Sequence, residues 1–206
     1  MEITSVSKHK RNKEKMSVYI DGRYSFSISE DDYLSLNLYE KKVITGEEIE
    51  YIKENVNFRA AKYTAIKFVS FKLRTEKEVR LKLEREGFDE DVTVRVLEEL
   101  RAMGYINDLI YTQKYAFDRS KLKPTSKRLL KLELENRGIQ EDIIDGVLSD
   151  WEIDEVSIAE GLIKRKFGKY NLKDEKTLKK IKAFLHHRGF DYGTIESAMK
   201  GFDIEG

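Results

Sequence analysis

The fold is decided by the stretch LRTEKEVRLKLEREGFDEDVTVRVLEEL, which occupies positions 73–100. Its glycine, Gly87, recurs as Gly138 and Gly189, each 51 residues after the last and each followed by a bulky apolar residue. A leucine also stands four residues before each glycine, at positions 83, 134 and 185. A fixed period of this length is typical of a repeated supersecondary unit. The sequence therefore predicts three tandem copies of one unit.

Each copy is predicted to contain three helices. After Gly87, apolar side chains at i, i+4, i+5 and i+8 fall on one side of a helix, and the copy after Gly138 has the same spacing. Before each glycine lies a run of charged helix formers, and glycine is a common residue just past a helix end. A further amphipathic stretch precedes each pair, at 58–71, 109–119 and 158–167. The predicted N-caps are the hydroxyl residues twelve positions before the glycines: Thr75, Ser126 and Thr177.

The first 55 residues follow a different pattern. Apolar residues alternate on both sides of Asp21-Gly22, which predicts a β-hairpin. A two-residue loop would divide the apolar residues between two faces, so we predict a three-residue loop with Gly22 in the left-handed position or a bulge. The basic run 8–13 is predicted to be a flexible arm, and 30–38 and 47–55 short helices.

The predicted fold class is mainly α: three three-helix repeats in an elongated curved array behind an N-terminal extension with a β-hairpin. The predicted boundaries are 1–55 for the extension, 56–106 for the first repeat, 107–153 for the second and 154–206 for the third. The chain has no cysteine, which excludes disulfides and cysteine-built zinc sites. It has no apolar run of about 18 residues and no signal-type apolar core, so we expect a cytoplasmic protein without a membrane anchor.

Motifs for catalysis are missing from the sequence. It has neither a phosphate-binding GxxxxGK[ST] loop nor a GxGxxG motif. His186 and His187 are adjacent, so they point different ways on a helix and cannot form an i, i+4 metal pair. The carboxylates lie among lysines on charged faces, and Trp151 and Phe202 are predicted core anchors. We therefore expect no catalytic residue, no metal site, no cofactor and no small-molecule substrate.

The formal net charge of +1 conceals a strong segregation of charge. Positions 114–137 carry eight basic and three acidic residues, whereas 138–160 carry eight acidic residues and no lysine or arginine. A helix-turn-helix protein places its last helix in the DNA major groove, and here the last helices of two repeats are acidic. Two interpretations stay open: a surface that meets a large charged partner, or charged faces that are merely solvated.

Residues 73–119 resemble the core of the RecX family of recombination regulators. The matching motif is Gly104-Tyr105-Ile106-Asn107-Asp108, followed by Tyr111, Tyr115 and Ala116. The tandem repeats extend the resemblance to about 57–202, and the hairpin is similar to an extension in some longer members. The chain departs from the family between 121 and 126: many relatives have a lysine-glycine turn where this chain has Lys123-Pro124.

This resemblance implies a non-enzymatic regulator that binds the recombinase RecA, or its filament on single-stranded DNA, and restrains strand exchange and filament growth. Direct DNA binding would then be weak. The alternative is a general nucleic-acid-binding protein that uses basic helical faces without sequence readout. Tyr105, Asp108, Tyr111 and Tyr115 are predicted to shape the partner-facing side or a joint between repeats. The residues predicted to line that side are Arg119, Lys121, Lys123, Lys127, Arg128, Lys131, Lys164, Arg165 and Lys166.

Overall fold

A computed structural model describes residues 1–149, 151, 154–172 and 174–203 and confirms a mainly helical fold with a small N-terminal sheet. The chain divides into two compact units, Met1–Asn107 and Asp108–Gly206. The first contains strands β1 Ile3–Lys8, β2 Lys15–Ile20 and β3 Arg23–Ser29, then helices α1 Glu30–Ser35, α2 Gly46–Tyr51, α3 Phe58–Ser70, α4 Glu76–Arg85 and α5 Glu90–Ala102. The second contains α6 Asp108–Leu122, α7 Lys127–Asn136, α8 Glu141–Ser149, α9 Glu155–Phe167, α10 Glu175–His187 and α11 Tyr192–Asp203. Within the described ranges, no helix is both long enough and apolar enough to cross a membrane.

The hairpin is confirmed, but its predicted three-residue loop is wrong. Asp21 and Gly22, both with positive φ, form a two-residue loop that pairs Ile20 with Arg23. The register then shifts between Val18 and Tyr19, so that Val18 pairs with Phe26 instead of its neighbour Ser25. One extra residue in β3 thus returns the apolar side chains to a single face, which is the usual consequence of a β-bulge.

The basic run 8–13 is a tight connection between two strands, and the prediction of a flexible arm is wrong. Residues 3–8 form β1, which pairs antiparallel with β2. The imidazole Nδ1 of His9 accepts from the backbone N–H groups of Arg11 and Asn12, each at 3.3 Å. The Asn12 amide donates to the carbonyl of Glu86 at 3.1 Å, which fixes this connection against the turn after α4.

The predicted helix at 47–55 does not end before the first repeat. Helix α2 continues through a π-helical segment, Ile52–Asn57, directly into α3. Asn57 is buried in this segment, and its side-chain amide donates to the carbonyl of Ser27 at 2.7 Å. The wider π turn therefore lies where the helix is tied to strand β3.

The 51-residue period corresponds to one repeated helix ending. Gly87, Gly138 and Gly189 have φ values of 75°, 83° and 87° and follow α4, α7 and α10. In the first copy, the Gly87 N–H donates to the Glu84 carbonyl and the Phe88 N–H to the Leu83 carbonyl, and the other two copies repeat both bonds. This is the Schellman motif, which needs a left-handed residue and joins an apolar residue after it to one in the last turn. It explains why leucine, glycine and a bulky apolar residue recur together.

Two of the three predicted N-caps are confirmed. The hydroxyls of Thr75 and Ser126 accept from backbone N–H groups three residues on. Thr177 is not a cap: α10 begins earlier, and the carboxylate of Asp174 accepts from the Thr177 N–H at 3.0 Å. An aspartate three residues upstream offers the same kind of acceptor, so the helix gains most of a turn.

Within the described residues, four hydrophobic clusters follow one another along the chain. One lies under the N-terminal sheet and is centred on Phe26 and Ile28. The others contain the apolar residues of α3–α5, α6–α8 and α9–α11. Trp151 and Phe202 pack against the last two of these clusters, as predicted.

Lys15 joins the N-terminal sheet to the turn after α4. Its buried ammonium donates to the carbonyl of Gly87 at 3.3 Å and lies 3.1 Å from the centroid of the Phe88 ring. The Ser27 hydroxyl donates to the same carbonyl at 2.7 Å. Burial lowers the pKa of Lys15 to about 7, although Asp89 and Glu86 favour its charged form.

Replacing Lys15 by methionine is expected to flatten the pH dependence of stability above neutral pH. An unfolded lysine keeps its ordinary pKa of 10.5. Between about pH 7 and 10 the unfolded chain therefore binds a proton that the folded chain has released, so stability rises with pH by at most about 1.4 kcal/mol per pH unit. Urea midpoints followed by circular dichroism at several pH values measure this slope. An unchanged slope in K15M would show that Lys15 keeps its proton in the fold.

Candidate partner-binding surface

Two of the nine predicted cations are held by carboxylates of their own repeat. The Arg119 guanidinium binds Glu133 through two nitrogens, and its Nε lies 2.7 Å from Oε2. The hydroxyl of Tyr115 donates to the same carboxylate at 2.9 Å. Burial alone would raise the pKa of Glu133, but hydrogen bonds from Arg119 and Tyr115 outweigh it and keep the pKa below its ordinary value.

The second held cation, Lys131, belongs to an ion pair that recurs in every repeat. Its ammonium lies 2.8 Å from Glu141 and 2.9 Å from Asp145, both on α8. The cations 51 residues before and after it also pair with the third helix of their repeats: Arg80 with Glu90 and Lys182 with Glu196. Part of the segregated charge in the sequence therefore forms ion pairs between helices of the same repeat. The matching positions 80, 131 and 182 were visible in the sequence, but their partners were not.

The other seven predicted cations form no ion pair with a carboxylate of the described residues. Four come from the end of α6 and the start of α7, and three from the last turn of α9. Among the latter, the Lys166 ammonium lies 3.8 Å from the centroid of the Phe184 ring. The seven are Lys121, Lys123, Lys127, Arg128, Lys164, Arg165 and Lys166.

The second and third repeats meet at a joint between the loop before α7 and the end of α10. The Arg188 carbonyl, at the end of α10, accepts from the Ser126 N–H at 3.0 Å and the Thr125 hydroxyl at 2.6 Å. The Arg128 Nε donates to the next carbonyl, that of Gly189, at 3.2 Å. The loop before α7 thus satisfies carbonyls that the end of α10 leaves without helical partners.

Arg188, which the sequence reasoning missed, lies at the centre of this joint. Its Nη1 donates to the Pro124 carbonyl at 2.8 Å, while Arg119 Nη1 donates to the preceding carbonyl, that of Lys123, at 3.4 Å. Its guanidinium also lies 5.1 Å from the centroid of the Phe184 ring, which the Lys166 ammonium contacts as well. Burial lowers the pKa of Arg188, and the charges of Arg119 and Arg165 lower it further. We call Arg119, Arg165, Lys166 and Arg188 the joint cluster.

An open groove of about 440 Å³ is lined by Arg119 of the joint cluster and by Pro124, whose carbonyl Arg188 binds. Its walls are mainly apolar, and the ring of Phe117 is 58% exposed. Polar groups at its edge include Lys121, Asp154 and Ser157. The apolar walls are formed by Phe117, Pro124, Leu130, Trp151 and Ile158.

The four remaining predicted residues differ in exposure. Tyr111 is buried and its ring stacks on Tyr115, with centroids 5.9 Å apart, within the cluster of the second repeat. Tyr105 is half-exposed after α5, and Asp108 is the first residue of α6. Their role at a partner-facing side stays a prediction. Across the described ranges, no three His, Asp or Glu side chains lie close enough to hold a metal ion.

Three-helix repeats behind a small N-terminal sheet define a class of repeat-built protein. Three family models match the chain: the RecX regulatory protein N-terminal domain at 1–45, the first RecX three-helix domain at 61–100 and the third at 152–199. The chain belongs to the RecX family of regulatory proteins.

Individual relatives agree with this assignment. A regulatory protein RecX of Clostridium acetobutylicum is 30% identical over 204 residues, which cover 96% of this chain and 94% of the relative. One from Listeria welshimeri is 33% identical over 151 residues, but the match covers only 56% of that longer protein. A crystal structure of regulatory protein RecX shares the fold with a TM-score of 0.64 and 23% identity over 95% of this chain and 97% of that one. RecX from Lactobacillus salivarius has a TM-score of 0.58 and 26% identity over 72% of this chain and 97% of that one.

Proposed function

We propose that this protein regulates the recombinase RecA by binding its filament on single-stranded DNA and inhibiting strand exchange and filament growth. The observation that carries the proposal is the family match, which includes the N-terminal sheet and the first and third repeats.

The surface charges of the second unit support binding to a partner that combines protein and DNA. Lys121, Lys123, Lys127 and Arg128 leave a run of cations without internal carboxylate partners among the described residues. A filament of protein on DNA presents acidic side chains and phosphates along one groove, and such surfaces attract unpaired cations. Repeats in series also allow contacts to several protomers, which raises the overall affinity.

A general nucleic-acid-binding protein is the second candidate. The same unpaired cations favour it, since phosphate contacts need no sequence-specific helix. The acidic α8, with Glu141, Asp142 and Asp145, argues against major-groove reading but not against backbone binding. The two candidates differ in the target that the chain is expected to bind more tightly: the RecA filament for a RecA regulator, and the naked strand for a general nucleic-acid-binding protein.

Binding to a RecA-coated strand and to the same strand naked separates the two candidates. A short labelled single strand is titrated in a fluorescence anisotropy assay, with and without RecA held on it by a slowly hydrolysed ATP analogue. We expect affinity for the coated strand to exceed that for the naked strand by at least about tenfold, because only the filament offers both protein and phosphate contacts. Equal or tighter binding to the naked strand would support the second candidate instead.

A further inference from the structure

The joint cluster is an unusual concentration of positive charge for an intramolecular contact. Arg119 and Arg188 bind the carbonyls of two consecutive residues, while Lys166 and Arg188 share the ring of Phe184. Burial lowers the pKa of Arg188, and the like charges of Arg119 and Arg165 lower it further. Arg165 and Lys166 are exposed at the end of α9 and form no ion pair with a carboxylate of the described residues.

Among the described residues, Glu133 is the carboxylate that opposes the charge of Arg188, and it already accepts three hydrogen bonds. Glu133 accepts from two nitrogens of Arg119 and from the Tyr115 hydroxyl. A partly buried group of like charges repels more strongly than one in bulk water. An anion bound between Arg165, Lys166 and Arg188 would relieve that repulsion and accept charge-assisted hydrogen bonds.

We propose that the joint cluster binds a backbone phosphate of a single-stranded nucleic acid, and that an adjacent base lies in the groove against Phe117. This inference deepens the proposed function, on which it rests, by naming the contact made to the strand. The nucleic acid is single-stranded because a base enters a side groove only when it is unstacked from a duplex.

The groove favours a nucleotide over an acidic peptide. Arg119 and Pro124 belong both to the groove wall and to the contacts of the cluster, so a phosphate site and an apolar slot share one border. An exposed aromatic ring beside cations is the common platform for stacking a base of any type. Asp154 lies at the same groove, where its carboxylate would repel an acidic chain but can accept from the amino or imino group of a base.

The phosphate site is tested with R165A/K166A binding to a fluorescein-labelled oligothymidylate in the absence of RecA. Both side chains are exposed, so the fold should survive, and Arg188 is left intact because it holds the Pro124 carbonyl. We expect affinity to fall by at least about tenfold, and a plot of log K against log salt to become shallower by about 0.7 for each phosphate that the variant no longer neutralises. The control K176A/K179A removes the same charge from the first turns of α10, and its affinity should fall by less than about twofold.

The base slot is tested with F117A, whose control is L122A. Leu122 is 81% exposed on the same helix and does not line the groove. We expect F117A to bind the oligothymidylate at least about fivefold more weakly than L122A, and the two to bind an abasic strand of equal length alike.

Two results would overturn the inference. One is an equal fall in affinity in R165A/K166A and its control; the other is displacement of the oligonucleotide by polyglutamate at equal charge concentration, which would assign the cluster to an acidic protein partner. RecA is absent from these assays. Either result would therefore contradict this phosphate and base contact without deciding whether the chain binds a RecA-coated strand more tightly than a naked one.

Discussion

Replacing Gly189 by alanine is expected to lower the free energy of unfolding by at least about 3 kcal/mol. Two costs add: a non-glycine residue at φ 87° is strained, and its Cβ would lie 2.5 Å from Cβ of Leu129 in the preceding repeat. The joint between the repeats leaves no room for relief, since the Arg188 and Gly189 carbonyls are bound by Thr125, Ser126 and Arg128. Urea unfolding followed by circular dichroism measures the decrease.

The matched control is G104A. Gly104 also follows a helix with positive φ, at 75°, but a Cβ there would meet no atom within 4 Å. Strain alone should then cost about 1–2 kcal/mol. Similar decreases in the two variants would contradict the close packing of the α10 turn against the loop before α7.

A variant carrying K121E, K123E, K127Q and R128Q is expected to need at least about tenfold more protein for half-inhibition of RecA strand exchange. These are the four predicted cations between the last turn of α6 and the first turn of α7 that form no ion pair with a carboxylate of the described residues. Lys127 and Arg128 are only neutralised, because the Lys127 N–H binds Glu155 and Arg128 binds the Gly189 carbonyl. Arg119 and Lys131 stay unchanged because they stabilise the second repeat through Glu133, Glu141 and Asp145.

The control carries K10E, K13E, K42Q and K72Q, which change the net charge equally on exposed positions of the first unit. Lys10 and Lys13 lie in the basic run that a general nucleic-acid-binding protein would use. Inhibition that falls equally in both variants would contradict a specific partner-facing side on the second unit. Circular dichroism confirms that each variant is folded before its inhibition is compared.

The three-helix pattern was predictable because one local motif carries it. A leucine, a glycine and an apolar residue at fixed spacing specify the Schellman turn without help from distant residues, as Leu83, Gly87 and Phe88 do. The N-cap prediction for Thr177 failed for a local reason too: Asp174, three residues upstream, offers an equally good acceptor.

The errors in the N-terminal extension arise from tertiary contacts. The predicted hairpin loop was one residue too long because the bulge at Ser25 corrects the register within the strand rather than at the turn. The basic run looked flexible because Asn12 and Lys15 find their partners in the turn at Glu86 and Gly87, more than 70 positions along the chain.

The candidate site was only partly predictable for the same reason. Basic residues of α6, α7 and α9 stand out in the sequence, whereas the choice between free and paired cations depends on which carboxylates fold against them. Arg188 was not among the predicted site residues because, in the sequence, it is a single charged residue before Gly189. Its importance comes from the 64-residue separation from Pro124 that folding closes.

Strand exchange by RecA, titrated with the unmodified full chain, tests the central claim most directly. The proposed function predicts that exchange is inhibited progressively and is suppressed at chain concentrations at or below that of RecA. Undiminished exchange at equimolar chain, with RecA shown to be assembled on the strand, would contradict it.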